Sequence, residues 1–107
     1  MGSYADDALF MSRNNIEYVE LISDDGKSKV MVIPAWQGRV MTTSAAGDEG
    51  DSYGWINYSF IKKRQIDLQF NPVGGEERFW LGPEGGVFSL YFRQGEKQIY
   101  KNWKVPP

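Results

Sequence analysis

Two glycine pairs, Gly74-Gly75 and Gly85-Gly86, constrain the second half of this chain more than any other feature. Glycine takes positive φ without steric penalty and lets other groups approach its backbone closely. Pro72 and Pro83 stiffen the same stretch by fixing φ and removing a donor. Phe70–Phe92 is therefore predicted to turn sharply, run briefly extended and turn again. It then feeds a strand over Val87–Phe92, where Phe88, Leu90 and Phe92 alternate with Ser89, Tyr91 and Arg93, a period of two that means one buried face. Around these turns sit Glu76, Glu77, Arg78, Trp80 and Glu84. An arginine, a tryptophan and three carboxylates held between hinges read as a recognition surface. The plainer alternative is a pair of tight turns in which Arg78 bridges Glu76 or Glu84, since structural ion pairs form the same clusters.

The first half reads as hairpin and strand. Ile16–Ser23 (IEYVELIS) is rich in strand formers, Asp24-Asp25-Gly26-Lys27 supplies a turn in which Asp-Gly favours positive φ, and Lys29–Trp36 returns. Lys29–Trp36 is apolar on both faces, which fits a central strand, and Pro34 marks its end or a bulge. After Gln37-Gly38, Arg39–Ser44 is a third strand. Carboxylates at Asp6 and Asp7 ahead of Ala8-Leu9-Phe10-Met11 suit one or two helical turns within Tyr4–Asn15. Tyr53–Arg64 reads two ways: Trp55, Tyr58 and Phe60 suit a strand, while Asn57 is placed to cap a short helix over Tyr58–Lys63 with the basic residues at its C-terminal end, and the helix is preferred. Ile66–Phe70 is expected to be extended, Gly95-Glu96-Lys97 a turn, and Gln98–Trp103 a last strand or extended tail. The ending at Lys104-Val105-Pro106-Pro107 supplies no closing element, so the polypeptide is expected to continue.

At 107 residues the chain is one domain at most, a single β-rich unit over residues 1–107. Twelve Gly, five Pro and an aromatic share of 15% favour strands and turns over a helical bundle. The fold class is mainly β: an antiparallel sheet or partial β-sandwich with one or two short helices. A net charge of −2 offers no basic field for nucleic acid, and Lys62-Lys63-Arg64 is too short to supply one. No apolar run approaches the length of a membrane span, and the polar, acidic start lacks the pattern of a signal peptide. There is no cysteine and no histidine. Disulfides and thiol chemistry are excluded, as are the commonest general acid/base and transition-metal ligand. Asp48, Glu49 and Asp51 lack the EF-hand spacing and its closing glutamate, so a solvated loop is expected there and no metal. Phosphate-loop and dinucleotide signatures are missing, so no cofactor is expected.

Two stretches, PAWQGRVMTTSAAGDEGDSYGWINYSFI (Pro34–Ile61) and FNPVGGEERFWLGPEGGVFSLYF (Phe70–Phe92), are distinctive together. They resemble the N-terminal part of a family of bacterial proteins related to the galactose mutarotase-like superfamily, and the resemblance runs from about Ile16 onward. It implies a piece of a larger antiparallel supersandwich that binds saccharide in a groove on one sheet. Aldose 1-epimerases of that superfamily use a histidine acid and a glutamate base. This chain has no histidine, so no catalytic residue is carried over. The resemblance does imply that Arg39, Arg78, Trp80 and Glu84 face a ligand.

Sugar chemistry also suits the residues themselves. Apolar C–H faces pack on tryptophan and tyrosine rings, while hydroxyls pair with Arg, Glu and Asn. Trp36, Trp55, Trp80 and Trp103, with Arg39, Arg78, Glu84 and Asn71, supply both types, although core packing is the ordinary role of such rings. Three functional readings stand side by side. The first is a carbohydrate-binding module, catalytically silent as this chain. The second is one wall of the active site of a longer sugar epimerase-like enzyme. The third is an interaction domain that forms a homodimer through open sheet edges.

Overall fold

The computed structural model describes residues 2–67, 69–80, 82–83 and 88–104. Its centre is a three-stranded antiparallel sheet in the order β1 (Val19–Ile22), β2 (Lys29–Ile33), β3 (Arg39–Ser44). The expected hairpin forms in register, with Val19 opposite Val32 and Ile22 opposite Lys29. Its turn closes through Gly26 at φ 73°, as the Asp-Gly pair requires. β2 is the central strand. It ends where Pro34 begins a 3-10 turn over Pro34–Trp36, and its pairing with β3 shifts register between Met31 and Val32.

Two helices flank the sheet. The first, α1 (Tyr4–Arg13), is about three turns long, longer than the one or two expected. Its start is fixed by a capping box, in which Ser3 accepts from the Asp6 N–H and Asp6 accepts from the Ser3 N–H, each at 3.2 Å. The acidic loop completes the cap. The Tyr4 and Ala5 N–H groups donate to the carbonyls of Gly50 and Asp48, both at 2.9 Å, and Lys29 pairs with the Asp48 carboxylate. Among the described residues no acidic group is arranged to hold a metal. The second helix, α2 (Tyr58–Lys62), starts at Asn57, whose side-chain oxygen accepts from the Phe60 N–H.

The core lies on one face of the sheet. Met31, Ile33 and Met41 pack there with Tyr4 and Met11 of α1, with Ile56 and Ile61, and with Val73. Three methionines suit such a junction, because an unbranched thioether fills irregular gaps between elements that meet at different angles. Val19, Leu21, Val30 and Val32 share the opposite face through their cross-strand pairing. The outer edge of β3 is occupied by residues 53 and 76–77, whereas no other described segment pairs with the outer edge of β1. β1 is thus the edge through which the expected strand pairing would run. Among the described residues no helix is long and apolar enough to cross a membrane.

A buried polar network that the sequence reading did not find ties these parts together. The Asp7 carboxyl, buried on α1, accepts from the Ser52 and Tyr58 hydroxyls. Ser52 in turn hydrogen-bonds Thr42, whose hydroxyl accepts from the Gly54 N–H at 3.0 Å. One carboxyl group therefore joins α1, β3, the 52–54 loop and α2.

Burial and this hydrogen bond push the Tyr58 hydroxyl up to about 12. Burial and the neighbouring Glu20 carboxylate push Tyr4 above the usual tyrosine range as well. A raised folded value means that the contribution is intact below the unfolded pKa of about 10 and is lost as pH rises toward the folded one. Denaturation midpoints are expected to fall between pH 10 and 12, with Tyr58→Phe removing part of that slope. Titration of tyrosinate absorbance checks this: Tyr4 and Tyr58 should ionise above the usual tyrosine range.

Three local expectations need correction. No strand forms within the described part of Val87–Phe92, although burial does alternate over Phe88–Tyr91. Phe88 and Leu90 are 82% and 56% exposed, whereas Ser89 and Tyr91 are 8% and 7% exposed. The edge of β3 is already taken, so this segment pairs locally: the Leu90 N–H donates to the Pro83 carbonyl. Tyr91 turns in between Trp80 and Trp103, at ring separations of 5.1 and 6.4 Å. Gln98–Trp103 is not a strand but contains a 3-10 turn over Tyr100–Asn102. The stretch near Ile66–Phe70 is a side-chain-capped turn, in which Asp67 accepts from the Gln69 and Phe70 N–H groups at 2.7 and 3.1 Å. Those bonds hold the Asp67 carboxyl below its usual pKa.

Candidate functional site

The segment after the first glycine pair folds back across the start of β3. Val40 accepts from the Glu76 N–H at 2.9 Å and donates to the Glu77 carbonyl at 2.8 Å, and the Phe79 N–H reaches the Gln37 carbonyl at 3.1 Å. The fold-back depends on Gly74 and Gly75, at φ 96° and 102°. A Cβ on Gly74 would lie 2.2 Å from the Trp55 carbonyl oxygen, and one on Gly75 would lie 2.8 Å from the Arg39 side chain. The glycine requirement read from the sequence therefore holds at this pair. The second pair, Gly85-Gly86, lies outside the described residues.

This fold-back brings together a cavity of about 200 Å³. Trp36 and Gln37 reach it from the turn after β2, where Gln37 and Gly38 both take positive φ. Arg39 comes from the first position of β3, Phe60 and Ile61 from α2, and Arg64 from just beyond it. Phe70 and Asn71 come from the Asp67 turn. The Asn57 cap serves this site too: its backbone N–H donates to the Val73 carbonyl at 3.0 Å and its side-chain amide to the Pro72 carbonyl at 2.9 Å. Arg78 closes the rim.

Of the residues singled out from sequence, Arg39 and Arg78 line this one cavity although a whole strand and helix separate them in the chain. Trp80 does not line it. It lies beneath Arg78, whose guanidinium carbon is 3.8 Å from the ring centroid, and its ring also packs near Tyr91. Glu84 lies outside the described residues. Trp36 and Asn71, named above for their chemistry, are wall residues, whereas Trp55 and Trp103 are not. Gln37, Phe60, Arg64 and Phe70 were not foreseen. Only the turn chemistry around Pro34, Asn57 and Asp67 could have marked their neighbourhoods. The bridge of Arg78 to Glu76 does not form: Glu76 accepts from the Thr43 hydroxyl at 2.9 Å.

Arg39 is held in place by donating from Nη1 to the Gly74 carbonyl at 2.6 Å. Its Nε is buried and has no acceptor. Burial, reinforced by the nearby charge of Arg78, holds the guanidinium below its usual pKa. The cavity thus joins apolar ring surface to fixed donors. No group in it is arranged as an activated nucleophile among the described residues.

A family of unknown function (DUF6786) matches residues 2–107. No curated protein and no solved structure matches the chain.

Proposed function

We propose that this chain, which belongs to the family of unknown function DUF6786, is a carbohydrate-binding module that holds one sugar ring in the cavity between Trp36 and Arg78. The observation that carries this reading is the pairing of wall types. Trp36, Phe60 and Phe70 offer ring faces for the apolar C–H side of a sugar, while Gln37, Asn71 and the arginines offer polar groups at its rim. The volume, about 200 Å³, is below the roughly 300–1,000 Å³ of pockets that enclose a drug-sized ligand. A single ring therefore fits better than an enclosed oligosaccharide. The resemblance read from Pro34–Ile61 and Phe70–Phe92 would, if it extends to the ligand, imply the same class. With no histidine in the chain, the reading is binding without turnover.

Isothermal titration of a hexose and hexuronate panel, followed in parallel by tryptophan fluorescence, tests it. Phe70→Ala removes an exposed ring and Trp36→Ala a half-buried one. Each is expected to weaken binding about fivefold, by analogy with a ring-stacking contribution on the order of 1 kcal/mol. Phe70→Ala should leave the melting temperature nearly unchanged. Unaltered affinity in both variants, or no binding across the panel, would end this reading.

A further inference from the structure

The cavity gathers positive charge without gathering negative charge. Arg39, Arg64 and Arg78 all line it, and among the described residues no carboxylate does. The ion pairs found among the described residues both belong to Lys29, away from this site. Glu76 and Glu77 share a neighbouring cleft with Arg39 and Arg78, but neither carboxylate forms an ion pair with them. Glu76 accepts from Thr43, and Glu77 accepts from the Arg78 backbone N–H at 3.2 Å. Arg39 keeps a buried Nε–H with no acceptor, and Arg78 is braced on the Trp80 ring.

Such an arrangement is costly on its own. A buried donor without a partner forfeits its solvation, and two guanidiniums side by side repel. An anion between the two guanidiniums would relieve their repulsion. The planar fork of arginine matches carboxylate and phosphate oxygens in two-point contacts. The braced Arg78 would lose little side-chain freedom on forming them.

We infer that the sugar held in this cavity is an acidic one, a ring bearing a carboxylate or phosphate group that Arg39 and Arg78 clamp. This rests on the saccharide reading above and narrows it to one substrate class. Arg64, on the exposed rim, adds attraction at longer range and makes association sensitive to salt.

Calorimetric titration of the full chain with galacturonate, galactose 1-phosphate, galactose and inorganic phosphate separates the possibilities. At least one of the two acidic sugars is expected to bind about ten- to a hundredfold tighter than galactose, and which one does so identifies the anionic group. High salt should narrow that gap. Arg78→Gln, at a half-exposed side chain, should keep the fold and bring the acidic sugar down to the affinity of galactose. Arg39→Gln should do the same wherever its melting curve shows it folded. Galactose binding as tightly as both acidic sugars would overturn the inference and leave the saccharide reading standing. Inorganic phosphate matching galactose 1-phosphate, with galacturonate and galactose both failing to bind, would overturn the saccharide reading and this inference with it. Preference for the acidic sugar that persists in both arginine variants would overturn the clamp.

Discussion

Asp7→Ala should destabilise this protein more than any single truncation of an apolar side chain on its surface. The Asp7 carboxyl is buried and accepts from both Ser52 and Tyr58, so its loss leaves two hydroxyls inside or at the margin of the core without their acceptor. Each of the two hydrogen bonds contributes about 0.5–1.5 kcal/mol and each donor left without its acceptor costs about 1–3 kcal/mol, so a loss of about 3 kcal/mol is expected. For a domain whose total stability is on the order of 5–15 kcal/mol, that is a large fraction. Urea denaturation of the wild type, Asp7→Ala and Tyr58→Phe measures it. Tyr58→Phe removes one donor and leaves Asp7 its bond from Ser52, so it should cost clearly less. A loss below about 1 kcal/mol for Asp7→Ala would mean that the network is held by its surroundings and not by the carboxyl.

Gly74→Ala should be nearly as severe and should also damage the cavity. The added Cβ would meet the Trp55 carbonyl oxygen at 2.2 Å, a contact that backbone must move to relieve, and φ there is 96°. Overpacking costs about 1–3 kcal/mol, and the left-handed conformation adds roughly 1–2 kcal/mol for a residue with a Cβ. The shift would also displace the carbonyl that anchors Arg39. Gly26→Ala is the control: its φ is 73°, but nothing lies within 4 Å of the added carbon. That variant carries only the conformational cost, about 1 kcal/mol. Equal melting temperatures for the two variants would show that the contact with Trp55 relaxes freely.

Much of this architecture was legible in the sequence because its determinants are local. Asp25-Gly26 specifies the hairpin turn, Pro34 ends β2, Asn57 caps α2, and Gly74-Gly75 permits the fold-back; each acts through its own φ, donor or side-chain acceptor. Arg39 and Arg78 could be marked from sequence as residue types, in a setting that limited their options. That they share one cavity could not be read, because it depends on Val40 pairing with residues 76 and 77 across a long loop. The same dependence explains what stayed open. The alternation in Phe88–Phe92 is real, but period two states only that the faces differ. Which face is buried was decided by Trp80 and Trp103 closing on Tyr91. Asp7 was read as a helix-start carboxylate, which its position supports; its burial beneath Ser52 and Tyr58 follows from chain segments far away in sequence. The sequence by itself determined where the chain turns, since turn chemistry is written in single residues and their neighbours. Only the tertiary structure decided which charges lose their solvent and which rings line a cavity, because burial belongs to the assembled surfaces and not to any one stretch of chain.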